Sequence, residues 1–239
     1  MKLLPIASSS SGNAYVVEHE GFVVLIDCGV AYKRIKDFAV DAVLVTHSHT
    51  DHTSGLKALL KYRDVPVYAN LLTAESIACE CGIANDAFVC FENGQRFDIG
   101  PFGVLPFSIP HDTADPVGYL VRAGGETYFH GTDIGTPLDS IGLMLAEADV
   151  AILESNHDPE LLRASGRPPC LIQRIAGPRG HLSNDDAADL VRRFASSKLK
   201  RLYLAHLSHQ CNDPSLARAT MTEALKSIGR DDVELEVLS

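Results

Sequence analysis

The chain has 239 residues, 46% apolar and 22% charged, the balance of a folded protein with a sizeable core and not of a disordered or fibrous one. Its formal charge of −10 argues against a protein that coats nucleic acid through bulk electrostatics, although bound metal or a local basic patch can still hold a phosphate. No apolar run approaches the ~20 residues of a membrane-spanning helix. The six cysteines form no C-x-x-C pair and read as free thiols in a reducing compartment, so a cytoplasmic protein with no membrane association is expected, and no obligate protein partner is readable.

Met1–Ile6 is basic then apolar, but Pro5 interrupts it and the apolar stretch falls short of the ~7–15 residues of a signal-peptide core, so it reads as a first strand. Strands follow at Tyr15–Val17, Phe22–Ile26 and Ala42–Thr46, then a helix over Gly55–Lys61, a strand at Val65–Tyr68 and a helix over Thr73–Cys81. Strands are next predicted at Phe102–Ile109, Gly118–Arg122 and Thr127–His130. Hairpin-like turns are predicted at Glu18–Gly21, Glu92–Gly94 and Ala123–Glu126. The second half alternates helices Leu138–Ala146, Asn184–Phe194 and Pro214–Ser227 with strands Val150–Glu154, Leu202–Ala205 and Val233–Val237. No repeat or linker divides the chain. Residues 1–239 are therefore expected to form one α/β domain of two packed sheets with helices outside.

Six chemically capable residues stand at or just past the ends of apolar strands: Asp27, His47, His111, Asp133, Glu154 and His206. Loops at one edge of a sheet are where a rigid scaffold presents its chemistry. The densest set is His47-Ser48-His49-Thr50-Asp51-His52, which runs from a buried strand into a polar turn. Three imidazoles and a carboxylate within six residues suit Zn²⁺ or a similar divalent ion.

This H-x-H-x-D-H cluster after Leu44-Val45-Thr46 resembles the signature of the metallo-β-lactamase superfamily, and the similarity extends over about residues 5–220. It implies a four-layer αββα sandwich. It also implies a dinuclear centre, with His47, His49, His111 and Asp133 on one ion and Asp51, His52, Asp133 and His206 on the other. Asp27 would orient the metal loop from behind the ligands. Imidazole and carboxylate ligands admit Zn²⁺ or Mn²⁺, with Zn²⁺ preferred.

Four further segments narrow the resemblance: Ala7–Ala14, Ile152–Asp158, Gly180–Asn184 and Ala205–Asn212. Together and in order they are similar to the YycJ/WalJ-like group, exonuclease-like proteins related to the ribonuclease Z branch. The resemblance implies that Glu154 orients His181, which protonates the leaving oxygen of a phosphodiester attacked by a metal-bridged hydroxide. Asp51, Glu154 and His181 are the candidate catalytic residues. Leu182 departs from the serine common in that turn, which makes the role of His181 less firm than its position; the competing role is a residue ahead of a Ser183 helix cap.

Ser10, Ser11 and Asn13, with Asn156 and His157, are the candidate substrate contacts. The Ser8–Asn13 loop reads equally as an anion nest or a plain turn. The Arg163–Arg179 stretch reads equally as a hold on nucleic-acid backbone or a solvated surface. The spans between Asp133 and His206 and between His111 and Asp133 are too short for a β-CASP insert or a ribonuclease Z substrate arm. The expected function is a dinuclear phosphodiesterase, a nuclease acting on DNA. The alternative is a small-molecule hydrolase, either a cyclic nucleotide phosphodiesterase or a thioester or lactone hydrolase.

Overall fold

Runs such as Ala14–Val17 and Val23–Ile26 are buried at every position, the pattern of strands covered on both faces. The computed structural model describes residues 1–238, and the chain divides into two units. The first comprises Met1–Ser108, Thr113–Val117 and Val121–Gly125. The second comprises Ile109–Asp112, Gly118–Leu120 and the chain from Glu126 onward.

The first unit contains β1 (Lys2–Ala7), β2 (Ala14–His19), β3 (Phe22–Ile26), β4 (Ala42–Leu44), α1 (Thr50–Thr53), α2 (Leu56–Tyr62), β5 (Val67–Asn70), α3 (Leu71–Cys81), β6 (Phe88–Phe91), β7 (Phe97–Ile99) and β8 (Phe102–Ser108). Strands β1 to β6 form a six-stranded sheet in chain order. The first pairs are antiparallel, and β3 to β6 run parallel. Glu20 (φ 50°) and Gly21 (φ 80°) make the left-handed two-residue turn that matches strand twist between β2 and β3. One face of this sheet buries Val16, Leu25, Val43 and Val67 against Leu56 and Leu59 of α2 and Ala74 and Ile77 of α3. Those helix positions recur at intervals of three, the stripe that a surface helix turns inward. Asn70 caps α3 by accepting from Thr73 N (3.0 Å), and Gly82 at φ 60° ends it.

Strand β9 (Val117–Ala123) contributes to both units, and the second unit adds β10 (Glu126–Gly131), α4 (Asp139–Leu145), β11 (Val150–Glu154), α5 (Pro159–Ala164), α6 (Pro169–Ile175), α7 (Asn184–Phe194), β12 (Arg201–Ala205), α8 (Pro214–Ser227) and β13 (Glu234–Val237). The second sheet has the order β13-β12-β11-β10-β9-β8-β7, in which β10 to β13 are parallel. Helices α7 and α8 occupy their expected bounds because both carry strong start signals. Ser183 and Asp186 form a capping box, and Asp213 caps ahead of Pro214.

One turn differs from expectation. Glu92–Gly94 is not a hairpin: β6 pairs in parallel with β5, and β7 pairs antiparallel with β8 in the other sheet. Turn residues specify a reversal but not which partner the next strand finds. Here Gly94 N binds the Pro106 carbonyl (2.8 Å), and Asn93 reaches Asp115 (2.8 Å), so long-range contacts decide. β6, β7 and the short helices α1, α5 and α6 were also not predicted; at three to seven residues each they carry little periodicity.

Candidate functional site

In the first unit three loops are sewn together by backbone hydrogen bonds. Asn13 N donates to the Asp51 carbonyl, Gly29 N to that of Asn13, Cys28 N to that of His52 and Gly55 N to that of Cys28, each at 2.8 Å. The seam is possible only because it contains glycines. A Cβ on Gly29 would lie 1.6 Å from the Asp51 carbonyl oxygen, and one on Gly55 would lie 1.9 Å from that of Val30. The loop carrying His47, His49, Asp51 and His52 is thereby held against the end of β3, where Asp27 adopts φ 57°. A left-handed conformation is costly for a residue with a side chain and persists where its surroundings impose it.

Asp27 is fully buried and organises the histidines. Its Oδ2 accepts from His52 Nδ1 at 2.7 Å, and both its oxygens lie within 3.1 Å of the Thr46 hydroxyl. That hydroxyl, donating to Asp27, accepts from His47 Nδ1 at 3.0 Å. Asp27 therefore orients His52 directly and His47 through Thr46; with the proton on Nδ1 of each ring, Nε2 is the nitrogen that could take an ion. An outer partner on the far ring nitrogen is what metal-binding histidines require. Asn13, also fully buried, places Nδ2 3.2 Å from Asp51 Oδ2 and 3.0 Å from His52 Nε2, while its Oδ1 accepts from Ser9 N (3.2 Å). The Asn13 amide thus meets side-chain atoms of both Asp51 and His52.

In the second unit the same logic recurs around Glu154, the last residue of β11, whose side chain has no exposure. Its Oε1 accepts from His181 Nδ1 (2.8 Å) and His206 Nδ1 (2.9 Å); its Oε2 accepts from Ile134 N (2.8 Å) and Leu182 N (3.0 Å). Burial pushes this carboxyl up, but the attraction of His181 and hydrogen bonds from His181 and His206 outweigh it and hold the group at about 2. Burial likewise pulls the His181 imidazole down, and the Glu154 charge and hydrogen bond more than offset this, raising its pKa above the ordinary value. His111 Nδ1 donates to the Gly180 carbonyl (3.0 Å), which turns Nε2 toward Asp133 Oδ1 at 3.7 Å. Ligand atoms of Asp133, Glu154, His181 and His206 all lie within 4.8 Å of one another. Asp133 (φ 60°) and His206 (φ 57°) follow β10 and β12 in the same left-handed conformation as Asp27.

The donor chemistry fits divalent metal. His47, His52, His111 and His206 each have Nδ1 held by a protein oxygen, and carboxylates stand among them. His181 differs, being 20% exposed while its Nδ1 is bound to Glu154. Of the expected substrate contacts, Ser10 and Ser11 are exposed, whereas Asn156 and His157 are buried. Asn156 Nδ2 holds the His206 carbonyl at 2.8 Å, bracing the turn after β12. The arginine stretch braces its neighbours: Arg174 pairs with Asp112 (2.5 Å), Arg179 Nε donates to the His111 carbonyl (2.8 Å), and Arg167 binds Gln210 (2.9 Å). Residue-by-residue reading missed Thr46, Gly29, Gly55 and Gly180. Only the glycines left a trace, as small residues bordering the motifs.

The chain matches the family model described as a β-lactamase superfamily domain over residues 23–207. It is 32% identical over 232 residues to exodeoxyribonuclease WalJ of Streptococcus pneumoniae, covering 92% of this chain and 86% of that protein. It is 33% identical over 236 residues to exodeoxyribonuclease YycJ of Bacillus anthracis, covering 94% and 89%. Among solved structures, the metallo-β-lactamase fold protein YhfI of Bacillus subtilis shares the fold with a TM-score of 0.76 at 17% identity, over 99% of this chain and 95% of that one. The fold class is the α/β sandwich expected from the sequence. With a family match over most of its length and donor sets suited to divalent ions, the chain belongs to the β-lactamase superfamily and is a metal-dependent hydrolase.

Proposed function

We propose that the chain is an exodeoxyribonuclease that hydrolyses the phosphodiester of DNA with two divalent ions, Zn²⁺ being the best match to the donors. The whole chain would act as one catalytic domain. By the family's motif, one ion falls to His47, His49, His111 and Asp133, and the other to Asp51, His52, Asp133 and His206. The naming of the two relatives supports the substrate, and the tethered Nδ1 atoms support the ligand roles. Bound divalent ions lower the pKa of water toward ~7 and polarise the phosphoryl oxygen.

The observation that carries phosphodiester chemistry is the buried Glu154 carboxylate bound at 2.8 Å to the partly exposed His181. A charged carboxylate on Nδ1 keeps His181 protonated over a wider pH range and leaves Nε2–H free to be given away. A departing alkoxide needs that proton, so His181 is the proton donor and Glu154 its orienting partner. The same carboxylate fixes His206, which couples the proton donor to a metal ligand.

The scheme makes a differential claim. His181→Ala should cost ~10²–10⁴-fold on DNA, whose leaving oxygen is a poor leaving group, and far less on bis-p-nitrophenyl phosphate, whose leaving group needs no proton. Equal losses on both substrates would remove His181 from the donor role. Removal of metal by chelation, or Asp133→Ala, should abolish both activities.

A further inference from the structure

β4 and β5 run parallel, so the loop after β4, which carries His47–His52, and the start of α3 after β5 leave the same edge of the sheet. The two are fastened together. Ser76 Oγ donates to Ser48 Oγ (3.2 Å), inside the His47-Ser48-His49 motif, and Ser48 pairs with Thr113 (3.0 Å). Thr73 Oγ1 donates to the Ala114 carbonyl (3.2 Å) and Asn70 Nδ2 to that of Asp115 (2.6 Å). Leu72 stands one helical turn before Ser76, on the same side of α3.

Leu71 and Leu72 are 57% and 50% exposed, whereas Thr73, Ala74 and Ile77 of the same helix are buried. Single exposed leucines are ordinary. Two in succession, one turn from a residue that touches the His47–His52 loop, place an apolar surface beside that loop. Helix α3 has no basic residue, so it offers no side-chain cation to a phosphate backbone. An apolar surface suits the face of a nucleobase, which packs on it regardless of sequence. At a net charge of −10 bulk attraction for DNA is absent, and Arg174 and Arg179 are committed to Asp112 and the His111 carbonyl.

We propose that Leu71 and Leu72 form an apolar shelf that receives the terminal nucleobase of a DNA strand beside the His47–His52 loop. The proposal rests on the exodeoxyribonuclease reading above and names how that activity meets a strand end.

The chain contains no tryptophan, so Leu72→Trp installs a single fluorophore at the shelf. Tyr62→Trp is its counterpart, 63% exposed at the end of α2, close to where β5 begins and so at the opposite end of that strand from the shelf. Each metal-loaded variant is titrated with a hydrolysis-resistant phosphorothioate oligonucleotide. The indole emission of Leu72→Trp should be quenched and that of Tyr62→Trp should stay unchanged. L71A/L72A should raise KM for DNA about tenfold and leave kcat and bound metal at the level of the unsubstituted protein. No quenching at position 72, equal quenching at both positions, or an unchanged KM in a metal-replete L71A/L72A overturns the shelf. If L71A/L72A loses metal, the quenching comparison decides alone. Failure of the unsubstituted protein to cleave DNA is a separate result, which overturns the nuclease reading and the shelf with it.

Discussion

Gly29→Ala isolates the seam that holds the ligand loop. The added Cβ would sit 1.6 Å from the Asp51 carbonyl oxygen, 2.3 Å from its carbon and 2.9 Å from Asn13 N. All three are backbone atoms, so no side chain can swing aside. Restoring ordinary contact needs a displacement of more than an ångström, enough to break the 2.8 Å bonds from Asn13 N to the Asp51 carbonyl and from Gly29 N to the Asn13 carbonyl. Each buried group left without a partner costs ~1–3 kcal/mol, so the loss should be about 2–6 kcal/mol. The shift falls on Asp51 itself, so metal should go with it. Gly103→Ala is the control, its nearest neighbour being Asp98 Oδ1 at an ordinary 3.6 Å. Metal content by plasma mass spectrometry and the denaturant midpoint of both variants make the measurement. Gly29→Ala with full metal content and an unshifted midpoint would falsify the account of the seam.

Thr46→Val keeps shape but removes the hydroxyl between His47 and Asp27, and should weaken metal binding ~10–100-fold by calorimetric titration while the circular dichroism spectrum stays the same. Asn13→Ala removes the amide from Asp51 and His52 and should weaken binding by a similar factor; unchanged affinity would make Asn13 a bystander. Glu154→Gln turns an amide N–H toward groups that are themselves donors. The carboxyl lies at about 2 against an ordinary 4.5, which at ~1.4 kcal/mol per unit is a contribution of ~3 kcal/mol in metal-stripped protein. Because the folded value is depressed, that stability is present above pH 4.5 and lost as pH falls toward about 2. The gap between unsubstituted protein and Glu154→Gln in chemical denaturation should therefore be full at pH 7 and smaller at pH 3. A gap that does not vary with pH would count against it.

Much of the chemistry was legible because it is local. His47 to His52 are contiguous, and strand-end residues such as Asp27, Glu154 and His206 follow apolar runs that announce themselves. Helix α7 was readable to the residue because Ser183 and Asp186 cap it through contacts three positions apart. Short strands such as Phe97–Ile99 were not readable, since three residues carry too little pattern and their partners lie far along the chain.

The sequence by itself determined the candidate ligand types, their order and the family, because those depend on residue identity and spacing. Only the tertiary structure decided which groups each residue meets. It set the Asn13 amide against Asp51 and His52, a contact the serine loop does not announce. It turned Arg174 and Arg179 into braces for the His111 loop, although their spacing left a nucleic-acid contact open. It gave Glu154 two histidines instead of one. The physical reason is the same in each case. A hydrogen bond needs its partner within about 3 Å, and distances between segments far apart in sequence are set by packing, on which local pattern is silent.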